Sequence, residues 1–134
     1  MAETTAFELV SPERLVLSEP VEMVVVPGSE GNFGVLPRHA PFITTLRPGV
    51  IEVFEAGKVK ERIFVSGGFA EVTPERCTVL ADEALPIGEI DTAKTEQQIK
   101  DLSEDLADAK TAPERALAER ALEVARAKLR AVSH

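Results

Sequence analysis

The chain has 134 residues, 44% hydrophobic and 28% charged, enough for one ordinary domain or two small ones with a packed core. A formal net charge of −8 and the lack of Trp and Tyr exclude nucleic acid as the expected partner, since phosphate needs a basic surface and bases need aromatic faces. Cys77 is the one cysteine, so no internal disulfide forms, and its neighbours Val79 and Leu80 predict a buried, inert thiol.

In chain order, the first part reads as strand. Short runs rich in Val, Ile and Phe fall at 7–10, 15–17, 21–26, 33–36, 42–46, 50–54, 62–66, 69–72 and 77–81. Turn signals separate them: Ser11-Pro12, Glu19-Pro20, Pro27-Gly28, Pro48-Gly49, Ala56-Gly57, Gly67-Gly68 and Thr73-Pro74. Many short strands with regular turns predict an antiparallel β-sandwich or small barrel. Within 50–55 the polar residues alternate, which predicts one wet face. Val24-Val25-Val26 does not alternate and is expected to be covered on both faces.

The pattern changes after Pro86. Asp91 is placed to cap a helix that begins near Thr92, with Ile99, Leu102, Leu106 and Ala109 recurring at helical spacing. Thr111 and Glu114 have the capping-box spacing, and Pro113 suits a first helical turn. A second helix is predicted from about 113 to about 131, with an apolar stripe of Leu117, Ala121, Val124, Ala125, Leu129 and Val132. So short a connection implies an antiparallel hairpin. The fold class is therefore α+β in two parts: a β-sandwich domain over 1–86 and a helical hairpin over 87–134. The hairpin seam is largely alanine, which buries little area. Residues 91–110 hold six acids and three bases, residues 113–134 three acids and five bases, so the two helices attract weakly. A marginal hairpin on a firm β domain is a candidate moving part.

Catalytic constellations are missing from the sequence. The histidines are His39 and His134, no Gly-x-Ser-x-Gly occurs, and no Cys/His spacing suits zinc. Gly28-x-x-Gly31-x-x-Gly34 lacks the Gly-Lys-Ser/Thr of a phosphate loop. The scattered acids suit solvation better than acid–base work. A non-catalytic protein with no cofactor is expected. No stretch approaches the roughly 18 apolar residues of a membrane span, and the N-terminus lacks a secretory pattern. The expectation is a soluble, cytoplasmic protein that meets a membrane only through partners.

One loop concentrates the unusual residues. Positions 27–41 hold three glycines, three prolines and His39 between two apolar runs. Shaped loops on rigid scaffolds are where binding tends to sit. His39 suits either a backbone-bonded structural role or a partner contact. On the second helix, Arg115, Arg126 and Arg130 fall within about 60° of one another at 100° per residue. They form either a solvated face or a grip on an acidic partner.

The motifs Gly31-x-x-Gly34-Val35-Leu36-Pro37-x-His39-Ala40-Pro41, Arg47-Pro48-Gly49 and Ser66-Gly67-Gly68-Phe69-x-Glu71-Val72 resemble the epsilon subunits of bacterial F-type ATP synthases. The likeness extends over nearly the whole sequence. It implies a non-catalytic central-stalk subunit of a proton-driven rotary enzyme, peripheral on the cytoplasmic face of the inner membrane. It implies contact with the gamma subunit and the c-subunit ring through Glu30, Gly31, Asn32, Phe33, Arg38, His39 and Pro41. It also implies a hairpin that can rise to the alpha/beta catalytic head, with Arg115, Arg126 and Arg130 meeting an acidic segment there and restraining ATP hydrolysis. Two departures are visible: many members have glycine where Arg38 stands and often an acid where Asn32 stands. The resemblance also implies that some members bind ATP between the hairpin helices and the β domain. The corresponding positions are Ile90, Asp91, Lys94, Arg126 and Arg130, where Lys94 replaces an arginine and loses its planar fork. The alternative reading is an ATP-sensing or other small-molecule-binding β domain with a mobile helical lid.

Overall fold

The computed structural model describes residues 3–12 and 14–133, so His134 lies outside the described residues. Backbone packing separates two units, Met1–Pro86 and Ile87–His134.

In the first unit, alternating side chains make each strand one-faced, and the apolar faces must meet. The strands are β1 (Thr5–Ser11), β2 (Arg14–Val21), β3 (Met23–Gly28), β4 (Gly31–Val35) and β5 (Phe42–Leu46). They continue with β6 (Gly49–Glu55), β7 (Lys58–Val65), β8 (Gly68–Val72), β9 (Arg76–Ala81) and β10 (Ala84–Pro86). They form one sheet in the order β10-β7-β6-β3-β5-β8-β9-β1-β2, with β4 paired to β3 off this path. The sheet folds over into a sandwich, a nearly closed barrel. Every pairing is antiparallel except β1 with β9, where Ala6–Val10 runs alongside Arg76–Leu80. The core takes every second residue from each layer: Phe7 and Leu9, Val24 and Val26, Ile51 and Val53, Ile63 and Val65, Cys77 and Val79. Cys77 is fully buried, and desolvation pushes its thiol pKa up to about 12, so the thiolate nucleophile is absent at neutral pH.

Several strand bounds differ from the periodicity. The expected 21–26 strand is broken at Glu22, and the residues before it join a longer β2. Pro20 is tolerated there because β2 ends the sheet order and leaves one edge unpaired. β7 begins at Lys58, well before the expected 62, because its charged first half is held by the hairpin to β6 despite having no apolar signal. β10 was not expected; its three residues pair with β7. Val25 is half-buried, unlike its core neighbours Val24 and Val26, so coverage on both faces is incomplete.

In the second unit a 3₁₀ turn (Ile87–Glu89) leads to α1 (Thr92–Asp108) and α2 (Ala112–Val132). Asp91 caps α1 by accepting the Lys94 N–H at 3.0 Å, and Thr111 caps α2 by accepting the Glu114 N–H at 3.2 Å. The Glu114 carboxylate reaches back to the Lys110 N–H. Ile99, Leu102, Leu106 and Ala109 are half-buried, as the periodicity requires. The stripe on α2 is displaced in part: Leu117 is 67% exposed, while Ala118 and Leu122 are buried one position over from Leu117 and Ala121; Ala125 is buried as expected, and Ala127 and Ala131 are buried as well. Small side chains permit the close approach that Leu117 would block.

Two backbone sites are directly testable. Ala56 (φ 53°) and Gly57 (φ 75°) make the two-residue turn between β6 and β7, where asparagine is preferred first. Ala56→Asn is expected to stabilise the protein by about 0.5–1 kcal/mol in chemical denaturation. Gly68 has φ +124°, and a Cβ there would lie 2.0 Å from the Leu80 carbonyl oxygen. Gly68→Ala is expected to cost about 3 kcal/mol or more, read as a large drop in the melting temperature.

Candidate partner-binding surface

The shaped loop is built from three separately anchored pieces. The β3–β4 hairpin turns at Ser29-Glu30, between the pairs Gly28↔Gly31 and Pro27↔Asn32. Glu30, Gly31 and Asn32 are all exposed. This tip is held from β5: the Ser29 N–H donates to the Thr45 carbonyl at 2.9 Å, and the Thr45 hydroxyl donates to Ser29 Oγ at 3.1 Å. Arg47 completes the clamp. Its backbone N–H donates to the Pro27 carbonyl at 3.0 Å, and its guanidinium donates to the Gly28 carbonyl and to Asn32 Oδ1.

The second piece is aromatic. Phe33 meets Phe42 edge-on with ring centroids 5.0 Å apart, and His39 lies 5.3 Å from the same Phe42 ring. The His39 Nδ1 pairs with the Ala40 carbonyl oxygen at 2.9 Å. Phe42 therefore brings together Phe33 and His39, from the two ends of the segment that follows the hairpin tip. Pro41 is exposed beside them.

Arg38 is the third anchor. Its φ of 64° is left-handed, a conformation that glycine adopts without strain. Its N–H donates to the Pro74 carbonyl at 2.9 Å, and its exposed guanidinium pairs with Glu3. Arg38 is thus tied toward the β8–β9 turn, while Asn32 is tied to Arg47. The sequence singled out neither Arg47 nor Phe42 as organisers; Arg47 registered there only as part of a motif.

On the hairpin, Arg115, Arg126 and Arg130 are all exposed. Arg126 and Arg130 line an open groove of about 300 Å³ with Leu106, Glu119, Leu122 and Glu123. Arg115 does not line it. The two glutamates interleave with the arginines, so the groove is mixed in charge rather than purely basic. Ile90 is half-buried, Lys94 is exposed, and the Asp91 carboxylate is engaged in the helix cap. Ile90, Asp91 and Lys94 are not among the residues lining the groove. Among the described residues no cluster of His, Cys, Asp or Glu has the arrangement of a metal site.

Comparison with known proteins decides the family. The beta-sandwich domain of the ATP synthase Delta/Epsilon chain matches residues 4–87, and the C-terminal domain of the ATP synthase epsilon chain matches 91–134. The protein belongs to the ATP synthase epsilon-chain family. It is 55% identical to the ATP synthase epsilon chain of Rhodospirillum rubrum over 98% of both sequences. It is 53% identical to that of Paramagnetospirillum magneticum, over 99% of this sequence and 100% of the relative. A subunit in the Euglena gracilis mitochondrial ATP synthase OSCP/F1/c-ring structure superposes with a TM-score of 0.83 at 30% identity, covering 98% of this protein and 82% of that one. A subunit of the Tetrahymena thermophila mitochondrial central stalk/c-ring structure shares the fold over 96% of both, with a TM-score of 0.73 at 14% identity. An epsilon chain is an accessory, non-catalytic subunit of ATP synthase. No described helix is long and apolar enough to cross a membrane.

Arg47 gives this surface its test. Arg47→Met removes the guanidinium bonds to Gly28 and Asn32, each a charge-assisted contact on a partly exposed loop. The substitution is expected to cost about 1–2 kcal/mol. Faster amide hydrogen exchange at Ser29–Asn32, with β1 and β9 unaffected, is the expected signature.

Proposed function

We propose that this epsilon chain joins the gamma subunit to the ring of c subunits in a proton-driven rotary ATP synthase, and that its hairpin restrains ATP hydrolysis. The observation that carries this reading is the match of both family domains in order along the sequence, with a c-ring complex among the similar structures. The contact surface is the pinned loop, with Glu30, Gly31 and Asn32 at one tip and Phe33, His39 and Pro41 around Phe42. Arg38 extends it toward Glu3. A loop fixed by backbone and guanidinium bonds loses little entropy on binding, which suits a junction that carries torque. The protein then sits peripherally on the cytoplasmic face of the membrane, held there by gamma and the c-ring.

The hairpin reading rests on its thin apolar seam. Four of the five buried residues in α2 are alanines, so little apolar area opposes a change of position. Arg115, Arg126 and Arg130 would meet an acidic segment of the alpha/beta head. Glu119 and Glu123 share the groove with Arg126 and Arg130, so the attraction depends on register rather than on bulk charge. ATP binding is the rival role. It requires Asp91 and Lys94 to join Arg126 and Arg130 around one ligand, whereas the groove is lined without them. Restraint of hydrolysis by the hairpin is the better supported of the two.

The decisive assay uses a catalytic head stripped of this subunit. The full-length protein is expected to lower ATP hydrolysis, and a version ending at Pro86 is expected to bind gamma without doing so. The buried core cluster of the β domain ends at Ala84, so the truncation keeps it. Replacing Arg126 and Arg130 with glutamate should abolish the inhibition while leaving gamma binding intact. Equal inhibition by full-length and truncated protein refutes the hairpin role; failure of the full-length protein to co-elute with gamma refutes the junction role.

A further inference from the structure

The connected end of the hairpin carries a groove that the packing of its own helices leaves open. It encloses about 610 Å³ between the second half of α1 and the first half of α2. Leu102, Leu117, Ala118 and Ala121 supply its apolar wall. Leu117 is the most exposed leucine among the described residues, because the helices approach each other through Ala118 and Leu122 instead. Asp105, Asp108 and Glu114 line the same groove, and no Lys or Arg does.

Two of these acids are badly placed for the helix that bears them. A helix C-terminus is the negative end of its dipole and favours a cation. α1 ends at Asp108 with no base in its last turn, and Asp105 stands one turn before that end. Neither carboxylate is in an ion pair among the described residues. Glu114, by contrast, accepts the Lys110 N–H at 3.2 Å. Exposed leucine and unpaired acid thus coincide where the hairpin gains stability from neither. Conflicts of that kind collect at functional sites.

Shape and charge together select the occupant. A groove between two antiparallel helices receives the apolar ridge of a third. From Leu102 to Ala109 the groove runs about 10 Å along α1, the length of two helical turns at about 1.5 Å per residue. Lys or Arg beside that ridge would meet Asp105, Asp108 and the carbonyl end of α1, all negative. The same groove on a second copy of this protein would set acid against acid, and an anionic membrane would be repelled likewise.

We propose that this groove is a docking site for one basic amphipathic helix of a partner protein. Two turns of that helix seat apolar side chains against Leu102 and Leu117 and basic side chains against Asp105 and Asp108. The site is separate from the arginine groove, since Leu117 and Arg126 stand about 180° apart around α2 at about 100° per residue. The hairpin therefore presents acids on one side and arginines on the other. Docking here does not depend on restraint of hydrolysis by the hairpin.

The test uses the full-length protein and a fluorescent synthetic helix of leucine and lysine, its leucines spaced i, i+3, i+4 and i+7. A second peptide carries glutamate in place of lysine. Fluorescence anisotropy at physiological salt should show binding of the lysine peptide and none of the glutamate peptide. Amide NMR shifts on binding should centre on Leu102, Asp105, Leu117 and Ala121. The double variant Asp105→Asn, Asp108→Asn should weaken binding about tenfold, and Leu117→Gln about as much. The double variant Glu71→Gln, Glu75→Gln makes the same change of charge at exposed β-domain acids and should leave binding unchanged. No binding of the lysine peptide overturns the proposal. Equal weakening by the β-domain pair, or shifts centred on the β domain, overturns it in favour of bulk charge. Self-association abolished by Leu117→Gln overturns it in favour of a second copy. The wild-type shifts decide the matter if a variant fails to fold.

Discussion

The β domain depends on the pairing of its first strand with its ninth. β1 and β9 are about 70 residues apart in sequence, yet they run side by side in parallel, Phe7 against Cys77 and Leu9 against Val79, all four buried. Without that pairing β2 has no path to the rest of the sheet, and the inward face of β1 has nothing to cover it. Contacts this distant cost loop-closure entropy before they return stabilisation. Burial of large side chains such as Phe7 and Leu9, about 25 cal/mol per Å² of apolar surface, offsets it. The seam opposite, between β2 and β7, is joined by side chains instead, and there acids and a lysine replace the apolar contacts of the core.

The pinned loop inherits its shape from this scaffold. Arg47 holds Gly28 and Asn32 only because β5 approaches the end of β3, where Gly28 pairs with Leu46. Phe42 gathers Phe33 and His39 only because β5 begins where the loop ends. Arg38 keeps its left-handed backbone through a bond to Pro74, in the turn before β9. Each anchor comes from a different strand connection. The surface is therefore held from several sides, although Glu30, Arg38, His39 and Pro41 lie outside the strands.

The hairpin follows a different economy. Its capping is local: Asp91 and Thr111 satisfy helix N-termini within four residues of themselves. Its packing is thin, with alanine supplying most of the buried positions on α2. Strong local order with weak lateral packing suits an element that keeps its helices while changing neighbours. The β domain has the reverse character, with modest local signals and extensive long-range pairing.

The sequence by itself determined the two-part architecture, the helix caps, most strands and the family likeness, because these rest on periodicity and on residues a few places apart. It also marked 27–41 as the unusual loop through its glycines and prolines. Tertiary structure alone decided what holds that loop: the Arg47–Asn32 contact spans 15 residues and the Arg38–Glu3 contact 35, separations that leave no periodic trace. It decided the buried side of α2 as well, since an alanine-rich helix offers several equally apolar stripes and only a close neighbour chooses between them. The charged start of β7 was invisible for a related reason. A strand at a closing seam is specified by what it pairs with, and Lys60 finds Glu19 only once the sheet has folded round.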